Sequence, residues 1–237
     1  MLMIHPVTNP TERGDGLSAY RPIETSVESI ANRLERAPVR TLKSREHLFR
    51  EGEDKANIYR VLEGAFVQYR LLSNGRRQVT GFAARGDTVG LGTGKSHNCS
   101  AESSGASKVR ILLSNTLHRM AREDSHLGMQ LYDAISQELV TAQDLLMTVG
   151  KLNAGERVAT FLLGLSKRNT HSVNVAAHID LPMTRCDIAD FLGLTTETIS
   201  RTLTKLSVGN IISRHHGYIR ILDAGALEAV ASGDLSV

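Results

Sequence analysis

Apolar residues recur along this chain with two different periods, and each change of period marks a change of structure. From about Leu48 to Leu113 they come in short alternating runs divided by glycine turns. Tyr59-Arg60-Val61-Leu62 leads into Glu63-Gly64. Ala65 to Leu72 then alternates into Ser73-Asn74-Gly75, Gln78 to Phe82 returns, and Gly86-Asp87 turns again before Val109 to Leu113 closes the series. Asn-Gly between two such runs predicts a hairpin with a type I′ turn, whose two central residues both need φ > 0. Strands this short and evenly spaced predict a small antiparallel barrel or jelly roll. Ahead of it, Ile30 to Leu42 reads as a short helix. Residues 1–23, with scattered Pro, Gly and Thr, read as a loose tail.

From Leu127 to Val149 the period becomes helical. Leu131, Ile135, Leu139, Ala142, Leu146 and Val149 lie four, four, three, four and three residues apart. That is a coiled-coil seam about 30 Å long at about 1.5 Å per residue. Such a stripe serves either to pack on the chain's own barrel or to pair two copies, and its length favours a dimer. Gly150-Lys151-Leu152-Asn153 interrupts the pattern as a hinge. Asn153 can cap the next helix, with Glu156 at its third position. The expected divisions are a tail (1–23), a jelly-roll domain (24–126), a dimerisation helix and hinge (127–152) and a terminal domain (153–237). The fold class is α+β.

The terminal domain carries the most specific pattern, PMTRCDIADFLGLTTETISRTLTKL from Pro182 to Leu206. Thr184 caps a first short helix with Asp187 three residues on, a variant of the capping box. Ile188, Ala189 and Leu192 form its apolar face. Gly193 supplies the tight turn, and glycine reaches φ > 0 without steric cost. Thr195 caps a second helix with Ile199, Leu203 and Leu206 on its buried side. The other side carries Thr196, Glu197, Ser200, Arg201 and Thr204. Those short polar groups, one carboxylate and one guanidinium suit hydrogen bonding to base edges, so the pattern predicts a helix-turn-helix. Ile211-Ile212-Ser213, a turn at Arg214-His215-His216-Gly217, and Tyr218 to Leu222 predict a β-hairpin directly after it. That hairpin is the wing of a winged helix, with Arg214, His215, His216 and Arg220 near phosphate.

Composition narrows the function class. The 237 residues carry a formal net charge of +3, and 41% are hydrophobic. No 18-residue apolar run occurs, which excludes a membrane helix. Met1 to Thr11 lacks the basic start and apolar core of a secretory signal, so the expected location is the cytoplasm. From Asn153 onward eight Lys/Arg balance eight Asp/Glu. Within Thr195 to Arg220, however, Arg201, Lys205, Arg214 and Arg220 face Glu197 alone, so positive charge is focused where DNA would lie. Nothing points to an enzyme: there is no metal-ligand spacing and no nucleophile elbow. Gly94-Lys95-Ser96 looks like the end of a phosphate loop, but the first glycine of that motif would fall on Val89.

The order of jelly roll, long helix and winged helix resembles the CRP/FNR superfamily of bacterial transcription regulators, over about Ser44 to Leu222. Glu51-Gly52-Glu53 with Ile58 to Gly64 resembles the family's G-[ED]-x-x-x-x-[IVL]-[YF]-x-[IVL]-x-x-G entrance to the barrel. Gly86-Asp87-Thr88-Val89-Gly90 resembles its G-D-x-[FI]-G turn, and Arg185 to Arg201 its helix-turn-helix. Leu71 to Val79 and Val149 to Ala159 are similar to the FixK branch.

The resemblance implies a dimeric activator that recruits RNA polymerase to promoters of microoxic, denitrification or nitrogen-fixation genes. It implies that Glu197, Ser200 and Arg201 form the E-x-x-S-R reading triplet for TTG-N8-CAA palindromes. Arg201 can reach guanine O6 and N7, Glu197 can accept from cytosine N4, and Ser200 or Thr196 can touch a thymine. Where Thr196 stands, cyclic-AMP-type relatives have arginine, which argues against their half-site. Thr184, Arg185, Thr195, Arg214 and His215 are the expected phosphate contacts. His171 to His178 and the barrel turns are candidates for touching polymerase.

The family's effectors fail one by one. Leu91 stands where a carboxylate would hold a ribose, Cys99 where an arginine would hold a cyclic phosphate, and Ala142-Gln143 where a Thr-Ser pair would sit. Losing charge-assisted contacts at roughly 1.5–3 kcal/mol each argues against a cyclic nucleotide. Two cysteines in all, Cys99 and Cys186, cannot ligate a [4Fe–4S] cluster. No haem motif accompanies His97, His118 or His126, so no cofactor is expected. Cys186, in a helix's first turn beside Arg185, is a redox candidate, since an oxidised anionic sulfur there would repel phosphate. Cys99 reads as a small core or pocket residue. The alternative function is a ligand-gated regulator with an unidentified small molecule in the barrel.

Overall fold

Two four-stranded antiparallel sheets, ordered β1-β8-β3-β6 and β2-β7-β4-β5, face each other across the N-terminal core in the computed structural model. It describes residues 37–92, 94–169 and 178–236; the tail at 1–23 and the segment 171–177 lie outside them. The strands are β1 (Val39–Leu42), β2 (His47–Phe49), β3 (Asn57–Glu63), β4 (Ala65–Leu71), β5 (Arg77–Ala84), β6 (Thr88–Val89), β7 (Ser100–Ser103) and β8 (Ser107–Leu113). Phe66, Val61, Leu42, Val109 and Ala101 fill the space between the sheets, each almost completely buried. This is the expected jelly roll.

Two local expectations need correction. Val39–Leu42 is a strand, paired with β8 in register Val39↔Arg110, and not the end of a helix. Val39 and Leu42 have helical spacing, but Pro38 lacks the N–H a helix interior needs, and β-branched Val39 and Thr41 suit a ladder. Residues 30–36 of that expected helix lie outside the described residues. The β4–β5 hairpin forms as expected, with a different turn. Gly75 has φ +78°, while Asn74 is not among the non-glycine residues of positive φ. The Gly75 N–H donates to Leu72 O (2.8 Å) and the Leu72 N–H to Arg76 O (2.8 Å). This is the three-residue loop in which a type I turn is followed by a left-handed glycine. Asn74 contributes by accepting the Arg76 N–H on its side chain (3.1 Å).

A helical half follows. α1 (Ser114–Glu123) and α2 (Ser125–Lys151) meet at Asp124, whose carboxylate accepts the His126 and Leu127 N–H groups. α2 is the long helix. Among the described residues no helix is long and apolar enough to cross a membrane. At Leu152-Asn153 the chain breaks into α3 (Ala154–Asn169). Asn153 Oδ1 accepts the Glu156 N–H (3.1 Å) and Glu156 accepts the Asn153 N–H (2.9 Å), the reciprocal cap that the spacing predicts.

The terminal domain continues with β9 (His178–Asp180), α4 (Arg185–Leu192), α5 (Thr196–Val208), β10 (Ile212–His215), β11 (Tyr218–Ile221) and α6 (Ala224–Ser232). The wing is three-stranded, since β9 joins the hairpin in the order β10-β11-β9. The apolar core of this half runs without interruption into the barrel, joining Val67, Tyr69 and Val79 to Phe161, Phe191 and Leu206.

Glycine positions differ sharply in what they tolerate. At Gly64 (φ +82°) an added Cβ would lie 2.2 Å from Ser107 Oγ and 2.7 Å from Ala106 O, whereas at Gly75 it would meet nothing within 4 Å. Gly75→Ala should cost about 1–2 kcal/mol, the left-handed penalty. Gly64→Ala should cost about 1–3 kcal/mol more from the clash. Urea unfolding of both variants checks this, and equal losses would contradict it.

Candidate nucleic-acid interface

The helix-turn-helix is assembled by its caps. Thr184 Oγ1 accepts the Asp187 N–H (3.1 Å) while Asp187 Oδ2 accepts the Thr184 N–H (2.9 Å), completing the capping box at the start of α4. Gly193 ends α4 in the left-handed region at φ +64°. Thr195 Oγ1 accepts the Thr198 N–H (3.1 Å) and opens α5. Ile188, Ala189 and Leu192 of α4 and Ile199, Leu203 and Leu206 of α5 are buried as their spacing predicts. The turn is clamped from outside as well. Arg157 donates through Nε to Leu152 O (2.8 Å) and through Nη1 to Leu192 O (2.9 Å), tying the hinge to the end of α4.

Burying that face turns the other one outward. Thr196, Glu197, Arg201 and Thr204 are exposed on α5, and Ser200 is half-buried between them. Arg201 Nη2 lies 3.6 Å from Glu197 Oε1. An exposed i,i+4 pair of this kind is worth about 0.3–0.5 kcal/mol, so both groups can part at little cost to engage bases. Arg185, at the start of α4, donates to Ser200 Oγ (3.3 Å), and Arg214 of the wing donates to Thr204 Oγ1 (3.2 Å). Two cations from different elements thus flank the α5 face, and sequence spacing had no means of pairing them with Ser200 and Thr204. Thr184 and Thr195 are exposed, but their side chains are engaged in caps. The Thr184 hydroxyl donates its one proton to Asp187 Oδ2 (2.6 Å).

In the wing, Tyr218 is sandwiched between His178 (ring centroids 3.8 Å) and His215 (4.5 Å), and His215 Nε2 pairs with Ser213 Oγ (2.7 Å). His178 could not have been placed there from sequence, because β9 precedes α4 and reaches β11 only through the sheet. Cys186 is exposed beside Arg185, with Sγ 4.0 Å from Asp190 Oδ2.

Among the described residues, the long helix keeps an apolar face uncovered. Leu139 is 59% and Leu146 is 73% exposed, with Ile135 and Tyr132 also exposed. Leu131, by contrast, packs into the cluster of Ile58, Leu112, Leu117 and Leu127. Tyr132 takes its place on the outward face, so the outward stripe runs 132, 135, 139, 142, 146, 149 in regular steps of three and four. Val149, half-buried, ends against the helix-turn-helix: a Cβ at Gly193 would lie 3.4 Å from Val149 Cγ1.

Between the barrel and α2 lies a cavity of about 560 Å³. Leu91, Cys99 and Ala142, the three positions where cyclic-nucleotide contacts are missing, all line it, with Lys55, Arg70 and Glu138. Burial pushes the Cys99 thiol up, while burial and the nearby Lys55 hold His97 below the usual imidazole range. His97 stacks on Phe49 with ring centroids 3.6 Å apart. Among the described residues no three His, Cys, Asp or Glu side chains group as metal ligands.

Comparison with known proteins agrees with this architecture. Residues 39–124 match the cyclic nucleotide-binding domain family and residues 156–230 the Crp-like helix-turn-helix domain family. The chain is 40% identical over 189 residues to the nitrogen fixation regulation protein FixK of Bradyrhizobium diazoefficiens, covering 80% of each. The chain belongs to the CRP/FNR family of transcription regulators. It is also 38% identical over 188 residues to the transcriptional activatory protein AadR of Rhodopseudomonas palustris, covering 79% of each. The structure of FixK2 from Bradyrhizobium japonicum superposes with a TM-score of 0.77 at 35% identity, over 82% of this chain and 96% of that one. This member of the CRP/FNR family is therefore a FixK-like, DNA-binding transcription regulator, and its relatives are regulators, not enzymes.

Proposed function

We propose that this regulator acts as a homodimer in the cytoplasm and reads TTG-N8-CAA palindromes. In this reading it recruits RNA polymerase to genes of microoxic, nitrogen-fixing or denitrifying metabolism. The carrying observation is the outward face of α5, where Glu197 and Arg201 stand exposed and weakly paired between Arg185 and Arg214. Arg201 is the residue for guanine and Glu197 the residue for cytosine, so that one G·C pair is read from both strands. Ser200 and Thr196 flank them toward thymine. In this reading Arg185, Arg214 and His215 meet phosphate together with Thr184 and Thr195, whose caps also fix the register of the two helices. The names of the relatives, a nitrogen fixation regulation protein and a transcriptional activatory protein, support the choice of genes and of activation.

The exposed seam on α2 supports the dimer, since an apolar face of that length is costly to leave in water. The cavity beneath α2 favours a second reading, in which a small-molecule effector must bind before DNA does. Purified ligand-free protein separates the two. On the first reading it shifts a TTG-N8-CAA duplex unaided, and on the second it does so only with added metabolite. Redox tuning at Cys186 is a refinement of either reading, supported by its exposure beside Arg185.

Arg201→Ala should weaken binding to the palindrome by about 1–3 kcal/mol and relax discrimination at one base pair. Unchanged affinity in a gel-shift titration would contradict the assignment. Leu139→Glu with Leu146→Glu sets like charges against each other on the seam. The variant should sediment as a monomer and lose on the order of 100-fold in apparent affinity; a persisting dimer would refute the seam. Hydrogen peroxide should abolish binding by the wild type and spare Cys186→Ser, and equal sensitivity of the two would remove the redox refinement.

A further inference from the structure

Helix α4 is held from two sides. Its Ile188–Leu192 face packs on α5, while Asp187, Asp190 and Phe191, at positions i, i+3 and i+4, meet strand β5 of the barrel. Arg77, the first residue of β5, donates from Nη1 to Asp187 Oδ1 at 2.8 Å. Asp187 is only 2% exposed, and its other oxygen closes the capping box with Thr184. One carboxylate therefore ends the helix on one side and grips the barrel on the other. The Arg77 guanidinium lies over the Tyr69 ring at 4.1 Å, which fixes the direction from which it reaches. Gln78 Nε2 donates to Asp190 O (2.6 Å), and Phe82 packs against Phe191 and Phe161 at 5.1 and 6.1 Å between centroids.

We infer that Arg77 is a positioning residue for DNA reading: by gripping Asp187 it fixes α4, and through it α5, against the barrel and thereby sets which half-site spacing a dimer accepts. The inference rests on the proposed reading of a palindrome. The barrel carries the dimerisation helix, so a terminal domain, the head, that is locked to the barrel holds two reading helices at one separation. A head that swivels would tolerate several. Each base pair added between half-sites rotates one of them by about 34° relative to the other, at about 10.5 base pairs per turn. A rigid pair of heads cannot follow that rotation. The docked head leaves Glu197, Arg201 and Thr204 exposed, so docking is compatible with reading.

The test compares full-length wild type with Arg77→Met, which keeps the alkyl stem over Tyr69. A second variant, Arg77→Met with Asp187→Asn, removes both charges together so that no carboxylate is left buried alone. Arg77→Lys is the conservative rescue. Dimer mass, thermal unfolding and affinity are measured for TTG-N7-CAA, TTG-N8-CAA and TTG-N9-CAA duplexes. The wild type should prefer one spacer. The unlatched variants should remain folded dimers and lose at least about tenfold of that preference, or lose specific binding while keeping low-salt binding to scrambled DNA. Arg77→Lys should restore part of the preference. A uniform change of affinity on all three duplexes, weaker or tighter, with the spacer ratio intact would overturn the inference. If the wild type itself shows no spacer preference and binds scrambled DNA equally, the palindrome reading is what fails.

Discussion

The proposed reading helix α5 takes its orientation against the barrel from one short helix caught between two partners. α4 has eight residues, too few to hold a direction alone. Its direction comes from β5 on one side and α5 on the other. The two kinds of contact to β5 do different work. Burying aromatic side chains such as Phe161 and Phe191 contributes about 1.5–3 kcal/mol each, with roughly 0.5–1.5 kcal/mol more per ring pair. A buried ion pair such as Arg77–Asp187 has a net worth near zero once desolvation is counted. The rings therefore supply the strength of docking and the ion pair supplies its direction.

That arrangement separates the surfaces by role. The inner face of α5 is spent on α4 and the core, which leaves its outer face to Glu197, Arg201 and Thr204. The inner face of α2 is spent on the barrel and cavity, which leaves Tyr132, Ile135, Leu139 and Leu146 outward. The hinge at Leu152-Asn153 lies where these meet, and Arg157 joins it to the last carbonyl of α4, that of Leu192. A route of contacts thus joins the end of α2 to the turn at Gly193, through Val149 and Arg157. The cavity of about 560 Å³ under Ala142 sits on that same route.

Local signals in the sequence were strong wherever the backbone needed a particular residue. Thr184, Gly193, Thr195 and Asn153 each mark a cap or turn at the expected position, because capping chemistry is decided within three or four residues. The reading face and the wing follow from those caps. Contacts across long separations left no such mark. Arg77 and Asp187 are 110 residues apart, and neither looks unusual among its neighbours. The strand at Val39–Leu42 depends on β8, about 70 residues on, and its apolar spacing fits a helix equally well. Leu131 and Tyr132 are both apolar enough to extend the seam, and only the cluster around Leu117 and Leu127 decides which of them turns inward. The missing cyclic-nucleotide contacts were legible one at a time, and the structure gathers all three into one cavity.

In the proposed complex two chains, related by a two-fold axis, each place one α5 in a major groove one helical turn apart. Hydroxyl-radical footprinting on a TTG-N8-CAA duplex, with the mass of the complex measured in parallel, addresses it directly. Two chains per duplex and two protected patches placed symmetrically about the centre are the expected result. One chain per duplex, or protection spread evenly along the DNA, would contradict it.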